Sequence, residues 1–454
     1  MKRALQILVL LFVASRLNAQ TAVIDGNWWG KIDFGTQTLS IGFEIINGEG
    51  KVLMDVPEQG AIGIPATLKK ATSDSLEIDI SAIGASYMGV RESDELITGS
   101  FNQNGMVLKL DLQPGKIMMV RSQTPRPPYP YITEEVSFEN KEGGAILKGT
   151  LTYPMMHFRY PSGTIPVVLM VTGSGGQNRD EEVFDHKPFA VLAHHLALNG
   201  IASLRYDDRG VGESTGPTEG TTTFDNKADA AAGISFLREL GKFGKTGILG
   251  HSEGGTIAFM LGGEGVVDFA VSMAGAAAKG IDVMLGQNAA VLKLQGIPDA
   301  LADQYCSVLE IVFRDRIAGY KVDDPAGYTE EICSRHGISL PVPLKSNLEQ
   351  VAATGGEWIT WFLGYDPADA IKKIHCPLFA LNGSNDLQVI SRDNLDVIRK
   401  NLPPNDKSLI KEYDSLNHLF QHCSYQNSLN YYAIDETISQ EVLKDVSDWI
   451  NSIK

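Results

Sequence analysis

Only four cysteines occur in the 454 residues, Cys306, Cys333, Cys376 and Cys423, and no two of them stand at metal-ligand spacing. A thiolate metal centre is therefore not expected. Long apolar runs are also lacking. The apolar stretch from Leu5 to Val13 is too short to span a bilayer, and no cysteine follows it closely to accept a lipid. Membrane insertion is excluded as the reading of this segment. Basic residues are in deficit, 39 against 55 acidic, for a net charge of −16. Such a balance repels nucleic acid and anionic lipid, and because the acids are spread rather than blocked the charge reads as solubility.

The first residues combine a basic start (Lys2, Arg3), the apolar core and a small-residue exit at Asn18-Ala19, the layout of a secretory signal peptide over 1–19. Its removal takes away Lys2, Arg3 and Arg16 and no acid, so 39 basic residues become 36 against 55 acidic, a balance of −19. The expectation is an exported protein, periplasmic or extracellular. From 20 to 120 the pattern alternates with period two, as in Leu39-Ser40-Ile41-Gly42-Phe43 and Leu76-Glu77-Ile78-Asp79-Ile80, which predicts a small all-β domain with one buried face. Trp28 and Trp29 read there as core and rim. Residues 121–130 hold four prolines and read as a tether. From 131 to 454, continuous apolar runs alternate with helical ones, which predicts a mostly parallel sheet flanked by helices, the α/β class. A stretch at about 277–373 is helical with breaks at Pro298, Pro325, Pro341 and Pro343, and reads as an inserted cap. Cys306 and Cys333 both fall within it, so either a disulfide staple or two buried thiols fits.

The chemistry concentrates around Gly250-His251-Ser252-Glu253-Gly254, where the apolar run Thr246–Leu249 gives way to a helical one. A serine on so sharp a strand-to-helix turn is strained, and glycines two residues to either side relieve the crowding. Its hydroxyl is then presented at the sheet edge as a nucleophile, and the Glu253 N–H faces the place where an oxyanion would form. Asp386 follows the strand Leu378–Leu381, and His418 follows the next strand, Leu409–Tyr413. Both fall at the edge of the sheet that carries Ser252, in the chain order serine, acid, histidine. In this scheme His418 is the base and Asp386 its orienting partner. His251 reads as a packing residue, and His422 as a weaker rival to His418. The glycine loop Thr172-Gly173-Ser174-Gly175-Gly176 supplies a second oxyanion donor, from Ser174 or Gly175.

These motifs, with Asn178-Arg179-Asp180, Arg205-Tyr206-Asp207-Asp208-Arg209-Gly210-Val211-Gly212-Glu213-Ser214 and Asn382-Gly383-Ser384-Asn385-Asp386, resemble the α/β-hydrolase superfamily from about residue 131 onward. Within it they resemble secreted bacterial carboxylesterases that carry an N-terminal β-domain. The resemblance implies a serine esterase acting on small-molecule esters with short acyl chains, without metal or cofactor, and gives 207–214 a structural role beside the site. Where many relatives begin the oxyanion loop with histidine, this chain has Thr172. A serine aminopeptidase of the same fold is the alternative, and a non-catalytic binding protein a remote one. Trp358, Trp361 and Phe362 of the cap suit an apolar wall over an acyl chain, while the acids Glu310, Asp315, Glu330, Glu331, Glu349 and Glu357 would have to supply any clamp for a substrate ammonium.

Overall fold

The computed structural model describes residues 23–33, 38–59, 61–155 and 163–453, so the expected signal peptide lies outside the described residues. The chain divides into two compact units between Met119 and Val120.

Among the described residues the first unit is a nine-stranded antiparallel sheet whose first eight strands, from Gly26–Asp33 to Met106–Lys109, form a meander in which successive strands are neighbours. The ninth strand, Gln113–Pro114, pairs back onto the first through Trp28 and Trp29, so the sheet curls until its two edges are joined by Leu110–Leu112. Period-two alternation puts Ile41, Phe43, Ile45, Leu76, Ile78, Ile80 and Tyr87 into one core. Trp28 belongs to that core and Trp29 is half-buried, as the sequence pattern implied.

The second unit is built on an eight-stranded sheet. Its order is Tyr131–Asn140, Ala145–Pro154, Ala202–Tyr206, Val167–Val171, Thr246–His251, Phe269–Met273, Leu378–Gly383 and Leu409–Tyr413. The first two strands form an antiparallel hairpin, the second runs antiparallel to Ala202–Tyr206, and every later pairing is parallel. Parallel strands need crossovers, and the helices that supply them cover both faces. That is why Val167–Val171 and Phe269–Met273 are buried at every position and read as continuous apolar runs. Helices Thr223–Glu239 and Glu253–Gly263 contribute to the core on one face; Pro188–Leu198 and Gln440–Ser452 contribute to the core on the other.

Between Phe269–Met273 and Leu378–Gly383 the chain forms six helices, from Gly280–Leu294 to Ala368–Ile371. Five of them share a core of their own around Tyr305, Val308, Leu309, Phe313, Leu348 and Leu363. This is the cap. Its Cys306 and Cys333 are free, as are Cys376 and Cys423, so the staple considered from the sequence is not formed.

The segment 121–130 is not a free tether. Arg121 is buried, its Nη1 donating to the carbonyls of Tyr432 and Ile434 and its Nη2 to that of Phe184. Gln123 bonds the backbone of Thr437 and Ile438. Prolines prevent this stretch from joining a ladder, but Arg121 and Gln123, which precede them, find backbone partners in the second unit.

Candidate active site

Ser252 adopts φ 53 and ψ −116, a region that a residue with a Cβ rarely visits. The strain is held by its surroundings: its N–H donates to the Met273 carbonyl of the neighbouring strand at 2.9 Å, and its own carbonyl receives the N–H groups of Gly255 and Thr256 as the helix begins. Glycine is required on both sides. A Cβ on Gly250 would overlap the Gly254 carbonyl, and one on Gly254 would overlap the carbonyl of Val171. The elbow thus fits only because two residues present bare backbone.

Asp386 and His418 come together at the same edge. His418 Nδ1 lies 2.7 Å from Asp386 Oδ2, and both side chains are buried. The other carboxylate oxygen accepts the N–H groups of Gln388 and Val389 at 2.8 and 2.9 Å, so the acid is fixed before it meets the imidazole. With Nδ1 bound in this way, His418 is left with Nε2 as its outward nitrogen. His251 links this loop to the elbow: its Nε2 donates to the His418 carbonyl at 2.9 Å, and the two rings lie 4.8 Å apart. His422 is elsewhere, exposed and bonded to Glu436.

The glycine loop abuts Ser252. A Cβ built on Gly173 would stand 3.3 Å from Ser252 Cβ. The Gly173 N–H is committed to Glu181 Oε1 at 2.8 Å, which leaves Ser174 and Gly175, both exposed, as the next amides of the loop. Glu181 is a residue that sequence reasoning passed over. The same oxygen meets His251 Nδ1 at 2.9 Å, so one buried carboxylate ties the glycine loop to the elbow. Burial opposes a charge on His251, yet the adjoining Glu181 outweighs it and raises the proton affinity of the imidazole. Its position directly after Asn178-Arg179-Asp180 was the only available signal.

Loop 207–214 supports this arrangement. Asp207 takes a bidentate bond from Arg179, and Arg209 is paired at 2.8 Å with buried Asp229. Asp208 accepts from Thr172 Oγ1 at 3.0 Å and from the Gln177 N–H at 2.9 Å, bracing the glycine loop from below. Thr172, the departure from the common pattern, is therefore bonded to this loop through its hydroxyl. Beside it opens a cavity of about 480 Å³, lined by Ser174, Gly175, Asp208, Thr221, Asn226 and the cap residue Trp358, among others. The three cap aromatics do not share this cavity. Trp361 lines a separate one with Arg316 and Tyr320, and Phe362 packs against the cluster of Ala276, Ala278, Val283 and Val389. One short helix, Glu357–Gly364, carries all three: Trp358 and Phe362, a turn apart, stack along one face, while Trp361 lines the separate cavity.

The family model described as serine aminopeptidase, S33, matches residues 186–303. The esterase EstD of Thermotoga maritima is 24% identical over 325 residues, covering 70% of this chain and 69% of its own length. Among solved structures, the Pyrococcus furiosus esterase PF2001 aligns with 75% of this chain and 99% of its own at 15% identity and a TM-score of 0.42. Proline iminopeptidase of Mycobacterium smegmatis aligns with 70% of this chain and 98% of its own at 14% identity and a TM-score of 0.42. The sheet order and the elbow after the fifth strand are those of an α/β-hydrolase fold, and over residues 186–303 the chain is similar to the serine aminopeptidase, S33, family model.

Proposed function

We propose that this protein is a carboxylic ester hydrolase that works through an acyl-enzyme on Ser252. The observation that carries the reading is the 2.7 Å bond between His418 and Asp386 at the sheet edge where Ser252 stands strained and half-exposed. In the first step Ser252 Oγ attacks the ester carbonyl carbon while its proton passes to His418 Nε2; the tetrahedral adduct collapses and the alcohol departs with that proton. Water then repeats the sequence on the acyl-serine and releases the acid. Asp386 keeps the imidazole in the required tautomer and steadies its positive charge. The Glu253 N–H, with that of Ser174 or Gly175, receives the oxyanion. Nothing in this chemistry calls on a metal or cofactor. The EstD relative supports the ester reading.

A serine aminopeptidase is the second reading, favoured by the description of the matching family model. It needs a carboxylate free to hold a substrate ammonium. Several cap acids suspected from the sequence are spent otherwise: Glu310 on Arg314, Glu330 on Lys345, Glu331 on Arg335 and Asp315 on the Tyr328 hydroxyl. Asp208 does line the cavity, but its oxygens already serve Thr172 and Gln177. We accordingly expect p-nitrophenyl acetate or butyrate to be cleaved with a higher kcat/KM than any aminoacyl anilide. A panel of both on the purified protein decides, and an anilide that outruns every short ester reverses the order.

The reading includes export, on the strength of the basic start and the apolar core of 1–19. Intact-mass measurement on protein recovered from outside the cytoplasm should show a chain beginning near Gln20. Recovery only of cytoplasmic protein with Met1 intact contradicts it.

A further inference from the structure

Trp358 is the cap side chain that lines the cavity beside the glycine loop, and its position there is fixed from two sides. Its Nε1 donates to Glu253 Oε2 at 3.0 Å. Its ring stacks on Phe362, one helical turn away, at 5.4 Å between centroids and 13° between planes. Phe362 is itself anchored against the apolar cluster at the base of the cap. The acceptor is unusual in its placing. Glu253 directly follows Ser252, is only 4% exposed, and its second oxygen, Oε1, sits near Thr223 and Asn226 with no hydrogen bond of good geometry. Burying a carboxyl this way is costly, and the bond it makes reaches across to the cap.

We propose that Trp358 is the specificity-determining wall of the substrate pocket, and that the Glu253 side chain is a positioning residue that latches it there. The inference rests on the reading of Ser252 as the nucleophile. The cavity, at about 480 Å³, falls within the range of small-molecule sites and exceeds what an acetyl group fills. An indole held by its N–H and stacked on one neighbour presents a rigid apolar surface to whatever lies beside the glycine loop. The ligand class is thus an ester with an apolar alkyl or aryl group larger than acetyl, discriminated by how well that group covers Trp358. The same contact joins the cap to the residue that supplies an oxyanion N–H, so the wall and the reacting centre share one support.

The test uses p-nitrophenyl phosphonates, which phosphonylate an active serine whether its natural substrate is an ester or a peptide. One arm compares hexyl with methyl on phosphorus, where the acyl group would lie; a second compares the same pair on the alkoxy oxygen, where the alcohol would lie. In the wild type the hexyl reagent should label Ser252 faster in one arm. Trp358→Ala should lower that hexyl-to-methyl ratio about tenfold or more, the scale on which apolar pockets discriminate. Trp358→Phe, which retains a stacking ring but loses the N–H, and Glu253→Ala should each lower it in part, and the double variant no further, since both remove one bond. Glu253→Gln keeps an acceptor and should preserve the wild-type ratio. A merely structural role would slow both reagents equally. An unchanged ratio in both arms for Trp358→Ala, with labelling still confined to Ser252, overturns this inference alone. Label on another residue, or none on the wild type, overturns the underlying assignment of the nucleophile and the inference with it.

Discussion

Asp208 shows how a carboxyl that does no chemistry still shapes the site. Its burial holds the acid up to about 8 from an ordinary 3.8, against the opposing pull of the Gln177 N–H and the Thr172 hydroxyl. The folded chain then binds this proton more tightly than the unfolded chain, so the stabilisation is complete below about pH 4 and is lost as pH rises through about 8. Thermal unfolding of the wild type should therefore show a decline in Tm between about pH 4 and about pH 8 that Asp208→Asn, which cannot ionise, lacks. Equal slopes for the two proteins would contradict the assignment. His251 illustrates a parallel point, since both its ring nitrogens are engaged, by Glu181 and by the His418 carbonyl, and it can only shape the site. The sequence indicated as much, because a side chain adjacent to Ser252 along a tight turn cannot reach round to it.

At the scale of elements the elbow is the least tolerant part. Strand Thr246–His251 runs into helix Glu253–Gly263 with a single residue between them, and the crossing of backbones there leaves no room for a Cβ at 250 or 254. Gly250→Ala should lower stability by about 1–3 kcal/mol through overpacking and reduce esterase turnover far more than that loss of folded protein explains. Paired Tm and kcat/KM measurements check this, and a variant that is stable and fully active would refute the packing argument. The elbow was readable because its demands are local: two glycines, a serine, a strand before and a helix after. Helix starts were less so. Thr223–Glu239 begins before the apolar pattern does, because Asp225 folds back to accept the Thr222 N–H. The cap was legible as an insertion from its length and prolines, yet the facing of its side chains was not. Trp358, Trp361 and Phe362 lie within one helical turn and a half, and only packing against different neighbours decides that the first reaches the cavity beside Ser174.

Across the whole molecule, the α/β class followed from alternation of buried strands and helices, and the placing of Ser252, Asp386 and His418 on loops at one edge followed because loops gather at the carboxyl edge of a parallel sheet. Two things did not follow. Glu181 and Asp208 support the site through hydrogen bonds between segments far apart in sequence, and no local pattern distinguishes a buried acid from a solvated one in so acidic a chain. The proline-rich stretch after residue 120 looked like a spacer, whereas Arg121 and Gln123 fasten it to carbonyls some 310 residues away. The central claim, that Ser252 and His418 act as one catalytic unit, is tested most directly by kcat/KM for p-nitrophenyl butyrate in the single and double alanine variants. Each single change should cost on the order of 10⁴-fold or more, and the double should cost no more than the worse single, because neither residue acts without the other. Retention of activity within about tenfold in either single variant, or losses that multiply in the double, would contradict the account.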